Sequence, residues 1–254
     1  VKNLRLILDS LKVQSDMNFN VLVSEDGESS KMKEFLADYK ANYEINHATQ
    51  VDEGWRKNKA LNNAIRQAKG GYLIFIDGDC VLHHHFIREH KRHAEDNTIL
   101  FGRRIKLGKQ LSVQLAKAKS LKAFTSMFWL RYLFFFWDGS TFVEEALYIN
   151  PNGPLKFMLK NKIKGLKGCN FSCHKKTLLA INGFDEDYQL PAVGEDTDLD
   201  WRFEKAGFRF KSVRHLAVQY HMHHEEGWTD VTENMALLKA KREKGEFICV
   251  NGIA

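Results

Sequence analysis

Apolar and polar positions follow two different rhythms along the first hundred residues. Leu4, Leu6, Ile7, Leu8 and Leu11 recur at helical spacing and predict an amphipathic helix. Residues 19–23 (Phe-Asn-Val-Leu-Val) predict a strand that ends in Ser24-Glu25-Asp26-Gly27. Met32, Phe35, Leu36 and Tyr39 share one face of a helix over 29–39, and Tyr43-Glu44-Ile45 reads as a short strand. Ala60, Leu61, Ala64, Ile65 and Ala68 return to helical spacing over 57–69, closed by Gly70-Gly71. Tyr72-Leu73-Ile74-Phe75-Ile76 does not alternate at all. Such a run, ending in Asp77-Gly78-Asp79, predicts a strand buried on both faces.

This alternation predicts an α/β fold with a Rossmann-like, mostly parallel central sheet flanked by helices. A sheet of that kind opens with a strand, yet Val1 already stands at the start of a helical pattern. The expectation is therefore that an opening strand precedes Val1 in the natural protein. Three parts of a single domain are expected: an alternating helix-and-strand half over 1–101, a basic and aromatic insertion over 102–167, and a second half over 168–254.

Composition supports a folded globular protein, with 44% hydrophobic residues and three prolines in 254. The net charge of +6 is local. Residues 102–165 hold twelve Lys/Arg against three Asp/Glu, so the rest of the chain is slightly acidic and no nucleic-acid partner is expected. Residues 123–137 (AFTSMFWLRYLFFFW) read either as a core or lid helix or as an interfacial patch. In the second reading the surrounding lysines hold the protein peripherally on an anionic membrane. Cys80, Cys169, Cys173 and Cys249 form no disulfide framework and read as reduced thiols, which predicts a cytoplasmic location. The Cys169-x3-Cys173-His174 spacing is poor for zinc.

The chemistry concentrates in three places. Ligands of open α/β sheets bind beyond the carboxyl ends of the strands, where Asp77 and Asp79 offer hard oxygens to a divalent cation. Gly194-Glu195-Asp196-Thr197-Asp198-Leu199-Asp200 opens a helix that runs to Ala206. Acidic residues there suit the helix dipole, and crowding and burial would also raise a carboxyl pKa toward that of a general base. A short strand over 217–220 leads into His221-Met222-His223-His224, and a neutral imidazole there could complete a metal site. A second histidine group, His83, His84 and His85 with His90 and His93, is an alternative transition-metal site.

Taken together, these signals resemble family 2 glycosyltransferases of the GT-A fold. Similar features occur in chondroitin polymerases and polypeptide N-acetylgalactosaminyltransferases. The resemblance rests on GWRKNKALNNAIRQAKGGYLIFIDGD and on KGCNFSCHKKTLLAINGFDEDYQLPAVGEDTDLDWRFEKAGFR. It implies that Glu25 and Asp26 recognise the nucleotide base, with Asp26 contacting uracil, and that Arg56 and Asn62 shape the donor pocket. Asp77 would face the ribose or donor sugar, and Asn170 would line the sugar pocket. Asp79 would bind Mn2+ or Mg2+, with His221 as a further ligand. Asp196 would be the catalytic base and Glu195 would hold acceptor or donor hydroxyls. The implied reaction is an inverting transfer of a hexose or N-acetylhexosamine from a UDP-sugar to a glycan or lipid-linked glycan in cell-surface polysaccharide synthesis. A sugar-phosphate nucleotidyltransferase and a non-catalytic nucleotide-sugar-binding module are the alternatives. Three features depart from the family: the opening strand and its Thr-Tyr-Asn-like turn are absent, Glu25 stands where Asp is usual, and 102–165 is not recognisable.

Overall fold

The computed structural model describes residues 1–135, 137–160, 165–225 and 230–254. Its strands are β1 (Asn20–Ser24), β2 (Glu44–Ala48), β3 (Tyr72–Ile76), β4 (Cys80–Leu82), β5 (Thr98–Phe101), β6 (Ile105–Lys106), β7 (Asn170–His174), β8 (Arg209–Ser212) and β9 (Gln219–His221). Its helices are α1 (Lys2–Lys12), α2 (Ser30–Asp38), α3 (Lys57–Gln67), α4 (Phe86–Arg92), α5 (Lys109–Ala116), α6 (Leu121–Ser126), α7 (Phe128–Phe135), α8 (Lys175–Leu179), α9 (Thr197–Lys205) and α10 (Thr232–Lys244).

The α/β class holds, but strand direction is mixed. The central sheet has the order β3-β7-β5-β8, and β7 runs antiparallel to both of its neighbours. β1 and β2 pair in parallel, as do β5 and β8. A smaller sheet, β4-β9-β6, sits beside the end of β3. The antiparallel β7 was not legible because Asn170-Phe-Ser-Cys-His gives no length of apolar run.

Side chains of the central sheet divide by the two-residue period of a strand. Tyr72, Ile74, Ile76 and Leu100 join the core formed with α1 and α4. Leu73, Phe75, Ile99, Phe101 and Phe171 join the core formed with α3, α8 and α9. Phe75 stacks on Phe171 at a centroid separation of 4.5 Å, which fixes the β3–β7 register from the inside.

Strand β3 departs from the sequence expectation in its burial. All five of its residues are half-buried rather than enclosed. Beside it lies a cavity of about 1120 Å³ whose apolar part is lined by Val21, Leu22 and Val23 of β1, by Ile74 of β3 and by Ile7 and Leu8 of α1. Among the described residues β1 pairs with β2 and β3 with β7, so each keeps one edge without a strand partner.

Segment 123–137 resolves into the two short helices α6 and α7, and Phe136 lies outside the described residues. Phe124 and Phe128 are buried, whereas Met127, Trp129, Leu130 and Leu133 are exposed. The segment therefore has both a core face and an outward apolar face. No helix among the described residues is long and apolar enough to cross a membrane. All four cysteines are free and buried.

Candidate functional site

Asp79 leaves the end of β3 through a tight turn and enters β4, whose antiparallel partner is β9. That pairing sets Cys80 opposite His221 and brings the histidine run onto the D-x-D turn. Asp79 Oδ2 lies 3.2 Å from His221 Nε2 and 3.3 Å from His224 Nε2, and the two imidazole nitrogens are 3.4 Å apart. The Cys80 thiol donates to Asp79 Oδ1 at 3.3 Å, leaving Oδ2 to face the imidazoles. Burial alone would raise the Asp79 pKa, but the hydrogen bond and charge of His221, with help from His224, bring it below the usual carboxylate value.

These three side chains form a group that could hold a metal ion, with ligand atoms within 4.8 Å of one another. Two atoms bound cis to one cation at about 2.1–2.2 Å lie roughly 3.0–3.5 Å apart. The donor set therefore fits a divalent cation without rearrangement.

Asp77 faces elsewhere. Its Oδ1 lies 3.3 Å from Lys57 Nζ and its Oδ2 lies 3.6 Å from Arg104 Nη1, so both oxygens meet cations. Lys57 also contacts Glu195 Oε2. Burial works against the Lys57 ammonium, and the carboxylates of Asp77 and Glu195 more than restore it, so its pKa is raised. Glu195 carries the opposite balance. Burial raises its carboxyl pKa, Lys57 lowers it in part, and Asp77 and Asp196 add to the rise.

The acidic helix start divides its side chains by direction. Asp196 occupies the N-cap position of α9, one residue beyond Glu195. Both stand against Gly168, where a Cβ would meet Asp196 Cβ at 3.8 Å and Glu195 Cδ at 3.9 Å. Asp198 points into the core and pairs with the fully buried Arg202 at 3.1 Å. Asp200 accepts the Leu166 N–H at 3.0 Å. Gly194 precedes the pair because a Cβ there would lie 2.3 Å from Tyr188, and Asn58 fixes the turn by donating to Gly194 O at 3.0 Å.

The cavity beside β3 opens at its polar end on Asp26, Trp55, Lys57, Asp77, Gly168 and Glu195. Asp26 accepts the Arg56 N–H at 2.7 Å and Gln50 Nε2 at 2.8 Å, which ties the end of β1 to the N-terminus of α3. Glu25 lies 2.8 Å from His47 Nε2.

A cleft lined by Asp26, Asp77 and Glu195, with two histidines on Asp79 in the same D-x-D turn, can be compared with known proteins. The profile of glycosyl transferase family 2 matches residues 1–152. The chain belongs to glycosyl transferase family 2. A second profile, the N-terminal domain of galactosyltransferase, matches residues 154–225 of this family 2 chain. Chondroitin synthase of Escherichia coli is 22% identical over 209 residues, covering 80% of this chain and 30% of that protein. An uncharacterized glycosyltransferase of Rickettsia felis is 27% identical over 94 residues, 37% of this chain and 15% of that one. The chain thus spans less than a third of the length of these curated relatives. The structure of GalNAc-T7 with UDP, GalNAc and Mn2+ superposes with a TM-score of 0.51 at 11% identity, covering 85% of this chain and 40% of that one. S. aureus TarS 1–349 in complex with UDP-GlcNAc gives 0.52 at 15% identity, covering 94% and 62%. These likenesses carry the GT-A fold.

The family 2 cleft does not gather every residue expected in it. Asn62 is fully buried on the core side of α3. Its Nδ2 donates to Phe184 O at 2.8 Å and Glu186 Oε1 at 2.9 Å, while its Oδ1 accepts the Phe184 N–H at 2.9 Å. Asn170 is also fully buried. It donates to Arg103 O at 2.8 Å and Ala217 O at 3.0 Å, and its Oδ1 meets His90 Nε2 at 3.1 Å. Both amides are engaged by the scaffold, so any part they take in the donor pocket is to hold its walls rather than to reach out of them. Arg56 reaches Asp26 through its backbone N–H, and its guanidinium donates to Trp55 O at 2.9 Å.

The alternative histidine group is structural. His83 is buried and stacks on Tyr148 at 4.8 Å, and burial pushes its imidazole pKa down to about 3. Burial pushes His90 to about 3 as well, so a neutral ring bridges Asn170 and Ser172. Sequence reasoning missed Lys57, Arg104 and His224. Lys57 sits in the KNKALNNA run, where one more lysine at a helix start carries no local signal.

Proposed function

We propose that this chain is the catalytic portion of a metal-dependent glycosyltransferase. It moves a hexose or N-acetylhexosamine from a UDP-sugar to a hydroxyl of a glycan or lipid-linked glycan, with inversion at the transferred carbon. The observation that carries this reading is the convergence of Asp79, His221 and His224 on one another, two residues along the turn from Asp77, whose Lys57 ion pair continues to Glu195. The ligands of two structural neighbours, UDP with Mn2+ in one and UDP-GlcNAc in the other, support the same donor class.

Asp79, His221 and His224 are the residues that would hold Mn2+ or Mg2+. When bound, the cation supplies Lewis-acid stabilisation to a departing diphosphate. Two imidazoles in the donor set favour Mn2+, since Mg2+ prefers an all-oxygen environment. Lys57 and Arg104 neutralise Asp77 and keep the cleft from repelling a diphosphate by its carboxylates alone. Asp26 keeps acceptor capacity for a pyrimidine N–H, because each carboxylate oxygen has about two lone pairs. Trp55 offers a ring face near the same base. Asp196, one residue beyond the cleft-lining Glu195 and with the Thr197 hydroxyl donating to it at 3.2 Å, takes the proton from the acceptor hydroxyl as that oxygen attacks from the face opposite the leaving group. Such base catalysis contributes about 10²–10⁴-fold, and positioning supplies a further share.

Calorimetry with UDP tests the reading. Binding is expected with Mn2+ present and absent after chelation; metal-independent binding of unchanged strength would overturn it. A screen of UDP-sugars for metal-dependent hydrolysis then identifies the donor without requiring the acceptor.

A further inference from the structure

We infer that the outward face of α6 and α7 is a docking surface for an anionic lipid bilayer. On α7, Trp129, Leu130 and Leu133 fall within roughly 100° of a helical wheel, and they are 39%, 55% and 68% exposed. Met127 before the helix and Trp137 after it extend the exposed apolar stretch. Isolated exposed apolar residues need no explanation, but a contiguous helical face of Trp and Leu does.

Charge selects the occupant. Lys117, Lys119 and Lys122 stand exposed on the chain leading into this face, and no described acidic side chain pairs with them. The acidic groups of the same insertion are all engaged elsewhere. Asp138 accepts the Leu111 and Ser140 N–H groups at 2.9 and 3.0 Å. Glu144 and Glu145 face Arg214 at 3.8 and 2.7 Å. Arg131 turns back over the Phe124 ring at 4.8 Å. An exposed apolar face on α7 thus follows directly on an exposed cationic stretch, 117–122, the combination of a segment that lies in the headgroup layer with lysines against anionic lipid. A protein partner of ordinary composition would leave those lysines to be matched by its own acidic rim.

The inner face of these helices packs on the metal end of the cleft. Phe128 lies 5.4 Å from the Tyr220 ring, and the Tyr220 hydroxyl donates to Thr125 O at 3.3 Å, one residue before His221. A bilayer on the outer face would therefore lie about one helix diameter, roughly 10 Å, from that end. This makes a lipid-linked glycan the acceptor class, a consequence that rests on the proposed function; the docking itself does not.

Flotation of the chain with phosphatidylcholine vesicles, with and without phosphatidylglycerol, tests the docking. Flotation is expected with phosphatidylglycerol at low salt and is lost at high salt. Leu133→Asp and the triple change of Lys117, Lys119 and Lys122 to Glu should each reduce it about tenfold or more, with unchanged circular dichroism. Asp79→Asn should float like the parent chain, which separates this surface from the chemistry. No flotation on anionic vesicles at low salt, or flotation undiminished in both surface variants, would sink the inference. So would a dimer in solution that Leu133→Asp converts to monomer, because a second copy would then cover this face.

Discussion

Asp79 Oδ2 lies 3.2 Å from His221 Nε2 because β4 and β9 pair antiparallel with Cys80 opposite His221. The metal reading of the D-x-D turn depends on that pairing.

Asp79→Asn and His221→Ala are each expected to abolish Mn2+-dependent UDP binding in calorimetry while the fold persists. His224 is 44% exposed. Its loss removes one of three ligands without emptying a buried position, so His224→Ala should weaken binding by about 10–100-fold. Mn2+ should support tighter UDP binding than Mg2+. Equal binding with both metals would argue that the imidazoles do not ligate.

Asp196→Asn should retain UDP binding and lose transfer by about 10²–10⁴-fold, the range of a general base. Single-turnover kinetics measures this directly. Full activity in the variant would move the base to Glu195 or elsewhere.

Lys57 joins Asp77 to Glu195. Lys57→Met leaves two partly buried carboxylates without their shared cation. UDP binding should weaken at least about tenfold and the melting temperature should fall by several degrees, by about the cost of breaking a buried pair. Lys57→Arg is expected to restore stability better than it restores binding, since the longer fork cannot keep both contacts in the same place.

Glu195 has its carboxyl pKa raised from an ordinary value of 4.5, chiefly by burial. Its protonated form is the one favoured by folding. The contribution is fully present below that ordinary value and is lost as pH rises through the folded one. Glu195→Gln should therefore melt about 1–3 °C above the parent at neutral pH, and the two curves should meet near pH 4. A variant less stable at neutral pH would show that the Lys57 contact outweighs burial.

Asn62→Leu removes three hydrogen bonds that join α3 to Phe184 and Glu186. The buried Phe184 backbone groups would be left without these partners in the core, at a cost of about 2–4 kcal/mol. Chemical denaturation should register that loss. The UDP affinity of the folded fraction should change little, in contrast with the Lys57 variant.

Much of the scaffold was legible because its signals are local. The helical spacing over 57–69 and the apolar run 72–76 each report their own element, and α3 and β3 formed within two residues of the expected bounds. The D-x-D turn and the acidic start of α9 were readable for the same reason. Strand β7 was not, since five mixed residues gain strand character only by being threaded between β3 and β5. The scaffold bonds of Asn62 and Asn170 were not legible for a related reason: the partners of a polar residue are set by packing and not by its neighbours in the chain.

The sequence by itself determined the alternation of elements, the carboxylates at their ends and the concentration of positive charge in the middle of the chain. Those are properties of neighbours along the backbone. The tertiary structure decided which charges meet. It set His224 beside Asp79 and put Lys57 between Asp77 and Glu195. Distances of three to four ångströms between residues far apart in the chain are set by strand pairing and packing, and no local pattern encodes them.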